Sequence, residues 1–253
     1  MVLLRSLLFD ACFYVAMAVM GILGAPRAIW SVDGAYAVCH DFCRVAFWLL
    51  RTICGLKAEV RGPVPEGEVV VAAKHQSFLD ILILFDALPR PKFIMKKELK
   101  WAPFLGLYAL RIGSTPVNRG ARGQAMKAMV AHAGRATEPR QLVIYPQGTR
   151  VAPGARPPFK VGAGVLYDRL GEPCIPAATN AGVFWGRRSF RKKPGVAVVE
   201  FLPSVAPGLP VAEFMPLIEE RIEAASDGLM REAGFDPGAR SATVQPPAAS
   251  PGP

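Results

Sequence analysis

Between residues 56 and 202 the chain alternates short apolar runs with longer segments in which apolar residues recur every three or four positions. The first pattern predicts strands and the second helices. Strands are expected at 56–60, 69–73, 93–95, 114–117, 141–145, 174–179 and 196–202, with helices at 78–88, 122–136, 161–170 and, beyond the last strand, 211–225. The stretch KKELKWAPFLGLYAL reads as a further helix, broken where Pro103 lacks a backbone donor. Val69-Val70-Val71-Ala72-Ala73 shows no alternation at all. Such a run suits a strand covered on both faces, as in a parallel sheet between helical layers. The predicted fold class is α/β: a mostly parallel central sheet flanked by helices, preceded by an N-terminal hydrophobic helix pair.

That N-terminal pair changes the picture. The sixteen residues from Ala11 to Pro26 carry no charge, short of the roughly 20 that a perpendicular spanning helix needs. Residues 35–54 form a second, aromatic-rich stretch carrying Asp41, Arg44 and Arg51. Two consecutive apolar helices with scattered charges suit a hairpin lying in one leaflet; a single spanning segment is the alternative. The predicted organisation is 1–55 membrane-associating helices, 56–230 an α/β domain, and 236–253 a disordered tail rich in Pro, Ala, Ser and Gly. Deleting residues 1–54 is expected to abolish vesicle binding and leave a foldable core.

Composition narrows the partners. A net charge of +10 with a mean hydropathy of +0.26 suits an anionic membrane surface or a phosphorylated substrate. The cluster WGRRSFRKK, 185–193, mixes cations with aromatics, but no nucleic-acid-binding motif accompanies it, so a nucleic-acid partner is not expected. Its five charges, at about 1 kcal/mol each near an anionic leaflet, suit membrane attraction; an ordinary charged loop is the alternative. Five cysteines without a CxxC, and three histidines, give no zinc spacing, and no metal is expected. Unpaired thiols on an apolar helix point to the cytoplasmic face of an inner or plasma membrane.

Chemistry concentrates where predicted strands end. In KHQSFLD, 74–80, Ser77 and Asp80 have the spacing of a capping box, which needs no function. The same geometry places Asp80 in a helical first turn, within reach of a histidine in the preceding loop. A carboxylate on Nδ1 of His75 would fix its tautomer and leave Nε2 to take a proton. The next two strand exits read GSTPVNRG, with Arg119, and YPQGTR, with Gly148, Thr149 and Arg150. Loops at the carboxyl ends of strands in open α/β sheets are where ligands bind, and an arginine fork beside a glycine turn suits phosphate.

These motifs resemble those of the glycerolipid acyltransferases, the 1-acyl-sn-glycerol-3-phosphate acyltransferase family, whose signature is NH-x4-D, an arginine-bearing second motif, E-G-T-R, and a proline-containing strand. They stand here as KHQSFLD, GSTPVNRG, YPQGTR and CIPAATN, in the family's order, over residues 56–203. The resemblance implies that His75 is the general base and Asp80 its orienting carboxylate. It implies that Arg119 and Arg150 hold a phosphate, that Gly148 and Thr149 shape that pocket, and that Lys96 or Lys97 adds a positive contact. The implied partners are membrane lipids, a lysophospholipid acceptor, and acyl-CoA or acyl carrier protein as donor; no cofactor is implied. The implied reaction acylates lysophosphatidic acid to phosphatidic acid. The alternatives are another lysolipid, such as lyso-ornithine lipid, or a catalytically silent membrane-binding module. Two positions depart from the pattern: Lys74 stands for the Asn before the histidine, and Gln147 for the Glu of E-G-T-R.

Overall fold

The computed structural model describes residues 1–117 and 139–238. Arg119, the predicted helix at 122–136 and the tail beyond residue 238 lie outside the described residues. The strands are β1 (Leu56–Arg61), β2 (Val69–Ala73), β3 (Pro91–Lys96), β4 (Thr115–Val117), β5 (Gln141–Ile144), β6 (Cys174–Thr179) and β7 (Gly195–Phe201). They form one sheet in the order β1-β7-β6-β2-β5-β3-β4. Every pairing is parallel except β6 with β7, so the sheet is mostly parallel as the apolar runs predict.

β2 lies near the middle of this sheet, and all five of its residues are buried. Its two faces serve different cores, as the period-two geometry of a strand requires. Val69, Val71 and Ala73 join one apolar cluster, and Val70 and Ala72 join the other. The second is closed by α6 (Gly162–Leu170) and α8 (Val211–Glu232), through Leu166, Tyr167, Phe214, Ile218 and Ile222. α8 runs seven residues past its expected end, to Glu232 rather than 225.

The first cluster is closed by α4 (Leu79–Ala87) together with the N-terminal helices. The expected pair is three segments: α1 (Val2–Leu23), short α2 (Ala25–Trp30), and α3 (Val32–Leu49), which runs on as a π-type turn to Cys54. Phe9 and Phe13 of α1 and Tyr36 of α3 are buried in the same cluster as Val71 and Leu82. Burying one phenylalanine of this kind is worth ~3–5 kcal/mol by truncation, against a total stability of ~5–15 kcal/mol for an ordinary domain. The N-terminal helices therefore belong to the same apolar core as the sheet, and removing residues 1–54 would uncover that face of it.

Asp10, the acidic residue of α1, is ion-paired with Lys192. That lysine is 2% exposed and lies over the rings of Phe9 and Trp185. The basic cluster thus divides, because Lys192 anchors α1 to the body and is withheld from any membrane. KKELKWAPFLGLYAL is broken as predicted, into a 3₁₀ turn at Lys97–Trp101 and α5 (Leu105–Arg111). Tyr108 and Arg111 of α5 donate hydrogen bonds to the carbonyls of Gly21 and Ala28, so α5 leans on α1 and α2.

Candidate active site

His75 sits in the loop between β2 and α4, and Asp80 in the first turn of α4. The aspartate is fully buried, and its two oxygens face different partners. Oδ2 accepts from the backbone N–H groups of Gln76, at 2.8 Å, and Ser77, at 2.6 Å. Oδ1 lies 2.9 Å from His75 Nδ1 and accepts the Tyr145 hydroxyl at 3.3 Å. The capping reading and the catalytic reading therefore describe the same carboxylate. The helix begins one residue later than a Ser77 cap implies, with Phe78 at its N-cap. Ser77 Oγ instead accepts from the Leu79 N–H at 3.0 Å.

Tyr145, at the end of β5, stacks on the His75 ring with centroids 3.9 Å apart. Burial first, and then the charge and hydrogen bond of Asp80, push its phenol well above the ordinary value of 10.0. It stays a neutral donor throughout the working pH range. Sequence reasoning missed this residue, although its place directly before the glycine turn was the available signal.

The turn after β5 carries the third motif. Gly148 there has φ of +70°, a left-handed conformation that favours glycine, and its N–H closes the turn onto the Tyr145 carbonyl at 2.8 Å. The Val151 N–H then donates to the His75 carbonyl at 2.8 Å. That bond ties the turn bearing Thr149 and Arg150 to the loop bearing the histidine.

A cavity of about 520 Å³ opens beside these groups. Its polar lining includes His75, Tyr145, Thr149 and Arg150, with Lys96, Arg187 and Arg188. Its apolar lining comes from α1, α3, β3, α4 with its N-cap, and α5, and includes Met17, Val38, Phe42, Phe78 and Leu105. Lys97 is exposed and does not line the cavity. Lys96 lines it while lying 3.6 Å from Glu98. Arg187 donates to the Arg150 carbonyl at 3.2 Å. Sequence reasoning left Arg187 and Arg188 to membrane attraction or an ordinary charged loop; their place after β6, a further strand exit on the same edge, was the signal that went unused.

An imidazole fixed by a buried carboxylate, in a cavity lined by both cations and apolar side chains, can deprotonate a hydroxyl whose neighbours are an anion and a hydrocarbon chain. Fold and site together define the class: an α/β acyltransferase acting on lipid. The family model described as acyltransferase matches residues 57–180. The 1-acyl-sn-glycerol-3-phosphate acyltransferase of Pseudomonas aeruginosa is 30% identical over 235 residues, covering 90% of this chain and 91% of that protein. The human 1-acyl-sn-glycerol-3-phosphate acyltransferase alpha is 28% identical over 223 residues, covering 86% of this chain and 78% of its own length. The fold matches the crystal structure of the 1-acyl-sn-glycerophosphate (LPA) acyltransferase PlsC from Thermotoga maritima, with a TM-score of 0.76 at 21% identity. That match covers 90% of this chain and 98% of the other. The chain belongs to the 1-acyl-sn-glycerol-3-phosphate acyltransferase family, and it is an acyltransferase.

Proposed function

We propose that the chain moves a fatty acyl group from an acyl thioester, acyl-CoA or acyl carrier protein, to the free hydroxyl of lysophosphatidic acid, forming phosphatidic acid. His75 Nε2 takes the hydroxyl proton as the oxygen attacks the thioester carbonyl, and Asp80 stabilises the resulting imidazolium through Nδ1. Collapse of the tetrahedral adduct breaks the C–S bond, and the imidazolium returns its proton to the departing thiolate. The products are an ester and a free thiol. The sequence has no Gly-x-Ser-x-Gly nucleophile elbow, so direct transfer is preferred to an acyl-enzyme. His75 carries every proton, and the step calls on no metal or cofactor beyond the donor.

The observation that carries this reading is the 2.9 Å contact between His75 Nδ1 and Asp80 Oδ1, with His75 lining a largely apolar cavity that Arg150, Arg187 and Arg188 also line. In the proposal Arg150 grips the acceptor phosphate on the turn shaped by Gly148 and Thr149, with Arg119 from the second motif. Arg187, Arg188 and Lys96 add positive charge, Lys97 has no part, and the apolar lining receives an acyl chain. Among the described residues one helix, Val2–Leu23, is long and apolar enough to cross a membrane. With Phe9, Asp10 and Phe13 turned to the body, we assign its outer face to the lipid of one leaflet, on the cytoplasmic side.

The deciding assay offers the purified full-length protein a labelled acyl thioester with lysophosphatidic acid and lyso-ornithine lipid in parallel. Labelled phosphatidic acid is the expected product. Transfer to lyso-ornithine lipid alone would move the acceptor, and no transfer to either would sink the reading.

A further inference from the structure

The two positions that depart from the family's motifs meet on one carboxylate. Lys74 Nζ is ion-paired with Glu223 Oε1, and Gln147 Nε2 donates to the same oxygen at 3.2 Å. All three residues are buried, at 2%, 6% and 3% exposure for Lys74, Glu223 and Gln147. Glu223 comes from α8, which lies beyond all four motifs. Burial pulls Lys74 below its ordinary value of 10.5 and pushes Glu223 above 4.5, the charge of each partly opposing the shift of the other.

The same helix, α8, is fastened to the exits of β2, β5 and β6. Ser226 Oγ accepts from the Thr179 N–H at 3.3 Å, and Asn180 donates to the Leu229 carbonyl at 3.0 Å. Gln76 Nε2 lies 3.6 Å from Met230 Sδ. Lys74 is the chain neighbour of His75 and is itself held in register by its N–H to the Ala177 carbonyl at 2.8 Å. Gln147 begins the turn that ends at Arg150.

We propose that Lys74 and Glu223 are positioning residues for acyl transfer: the carboxylate of Glu223 on α8 supplies the negative charge that the third motif lacks at Gln147, and holds the Arg150 turn against the His75 loop. The proposal rests on the acyl-transfer reading, with His75 as base and Arg150 at the phosphate. Its physical basis is charge count. Two carboxylates, Glu223 and Asp227, are matched by two cations, Lys74 and Arg156, in separate ion pairs. A further carboxylate at 147 would press against Glu223 with no cation left to match it, and removal of Glu223 would leave buried Lys74 without its paired carboxylate.

The test is a cycle of Gln147→Glu, Glu223→Gln and the double variant, in the full-length protein, with lysophosphatidic acid and an acyl thioester. Each single variant is expected to lower kcat/KM at least about tenfold, with a raised acceptor KM and an unchanged donor KM. The double variant, which moves one carboxylate from α8 to the motif turn, is expected to return within about threefold of the wild type. Additive losses in the double variant would overturn the proposal. So would single variants whose folded fraction, checked by circular dichroism, keeps its kcat and acceptor KM while only Tm falls. If a single variant does not fold, the double variant decides alone: folded and active supports the pairing, and inactive or unfolded overturns it. A wild-type protein inactive on lysophosphatidic acid would instead strike the acyl-transfer reading and carry this proposal down with it.

Discussion

Asp80 uses its two oxygens for two purposes, and that division predicts how substitutions there behave. An asparagine can keep its carbonyl on the Gln76 and Ser77 N–H groups, where Oδ2 now sits. Its amide nitrogen then faces His75 Nδ1 and forces the ring proton onto Nε2, which can no longer accept. Asp80→Asn should therefore fold normally and lose turnover as severely as His75→Ala, by about 10²–10⁴-fold. Single-turnover rates with circular dichroism check this, and near-normal turnover in folded His75→Ala would return the loop to a purely structural role. Arg150 acts on another quantity. Arg150→Ala should raise the acceptor KM and change kcat little, because it grips a group remote from the reacting hydroxyl. Lysine should rescue it only in part, since a point charge lacks the fork. An unchanged acceptor KM would place the phosphate elsewhere.

The elements that matter most are the turns at strand ends. The turn after β5 depends on Gly148, whose left-handed φ of +70° strains any residue with a side chain; the nearest neighbour of a Cβ there, Lys160 Nζ at 2.9 Å, ends a flexible chain that can move aside. Gly148→Val should cost about 1–3 kcal/mol through backbone strain. It should raise the acceptor KM more than the donor KM, because the strained turn is the one that carries Arg150. Acceptor and donor KM values measured side by side test this, and equal changes in both would argue against a separate phosphate turn. These turns could be read from residue type, since His, Asp, Arg and the Gly-Thr-Arg run stand directly after apolar runs. α8 could not be read the same way. Glu223, Ser226 and Asp227 look like a solvated helix face by composition, yet all three are buried. Their spacing continues the apolar stripe of Ile218 and Ile222, which was the available signal.

At the scale of the whole molecule, α1 has two unlike faces. Phe9 and Phe13 are core, while Leu4, Leu8 and Val15 are 74%, 55% and 63% exposed. A combined Leu4→Glu, Leu8→Glu, Val15→Glu variant should keep its Tm in detergent and lose binding to anionic vesicles in co-sedimentation. Salt at about 1 M, where screening acts within ~3 Å, should not strip the unsubstituted protein, because an apolar anchor is insensitive to screening. Extraction by salt alone would mean that exposed cations such as Arg191 and Lys193 hold it instead.

The sequence by itself determined the sheet, because a run such as Val69–Ala73 can be satisfied only by burial on both faces. It also determined the loop that brings His75 and Asp80 together, because the pair is five residues apart and the contact is local. Tertiary structure alone decided what depends on distant segments. Lys192 and Asp10 are 182 positions apart, and Lys74 and Glu223 are 149 apart, so nothing in their surroundings along the chain announces either pair. A charge is read as solvated until a partner is shown to be buried with it, and in this protein folding supplies those partners.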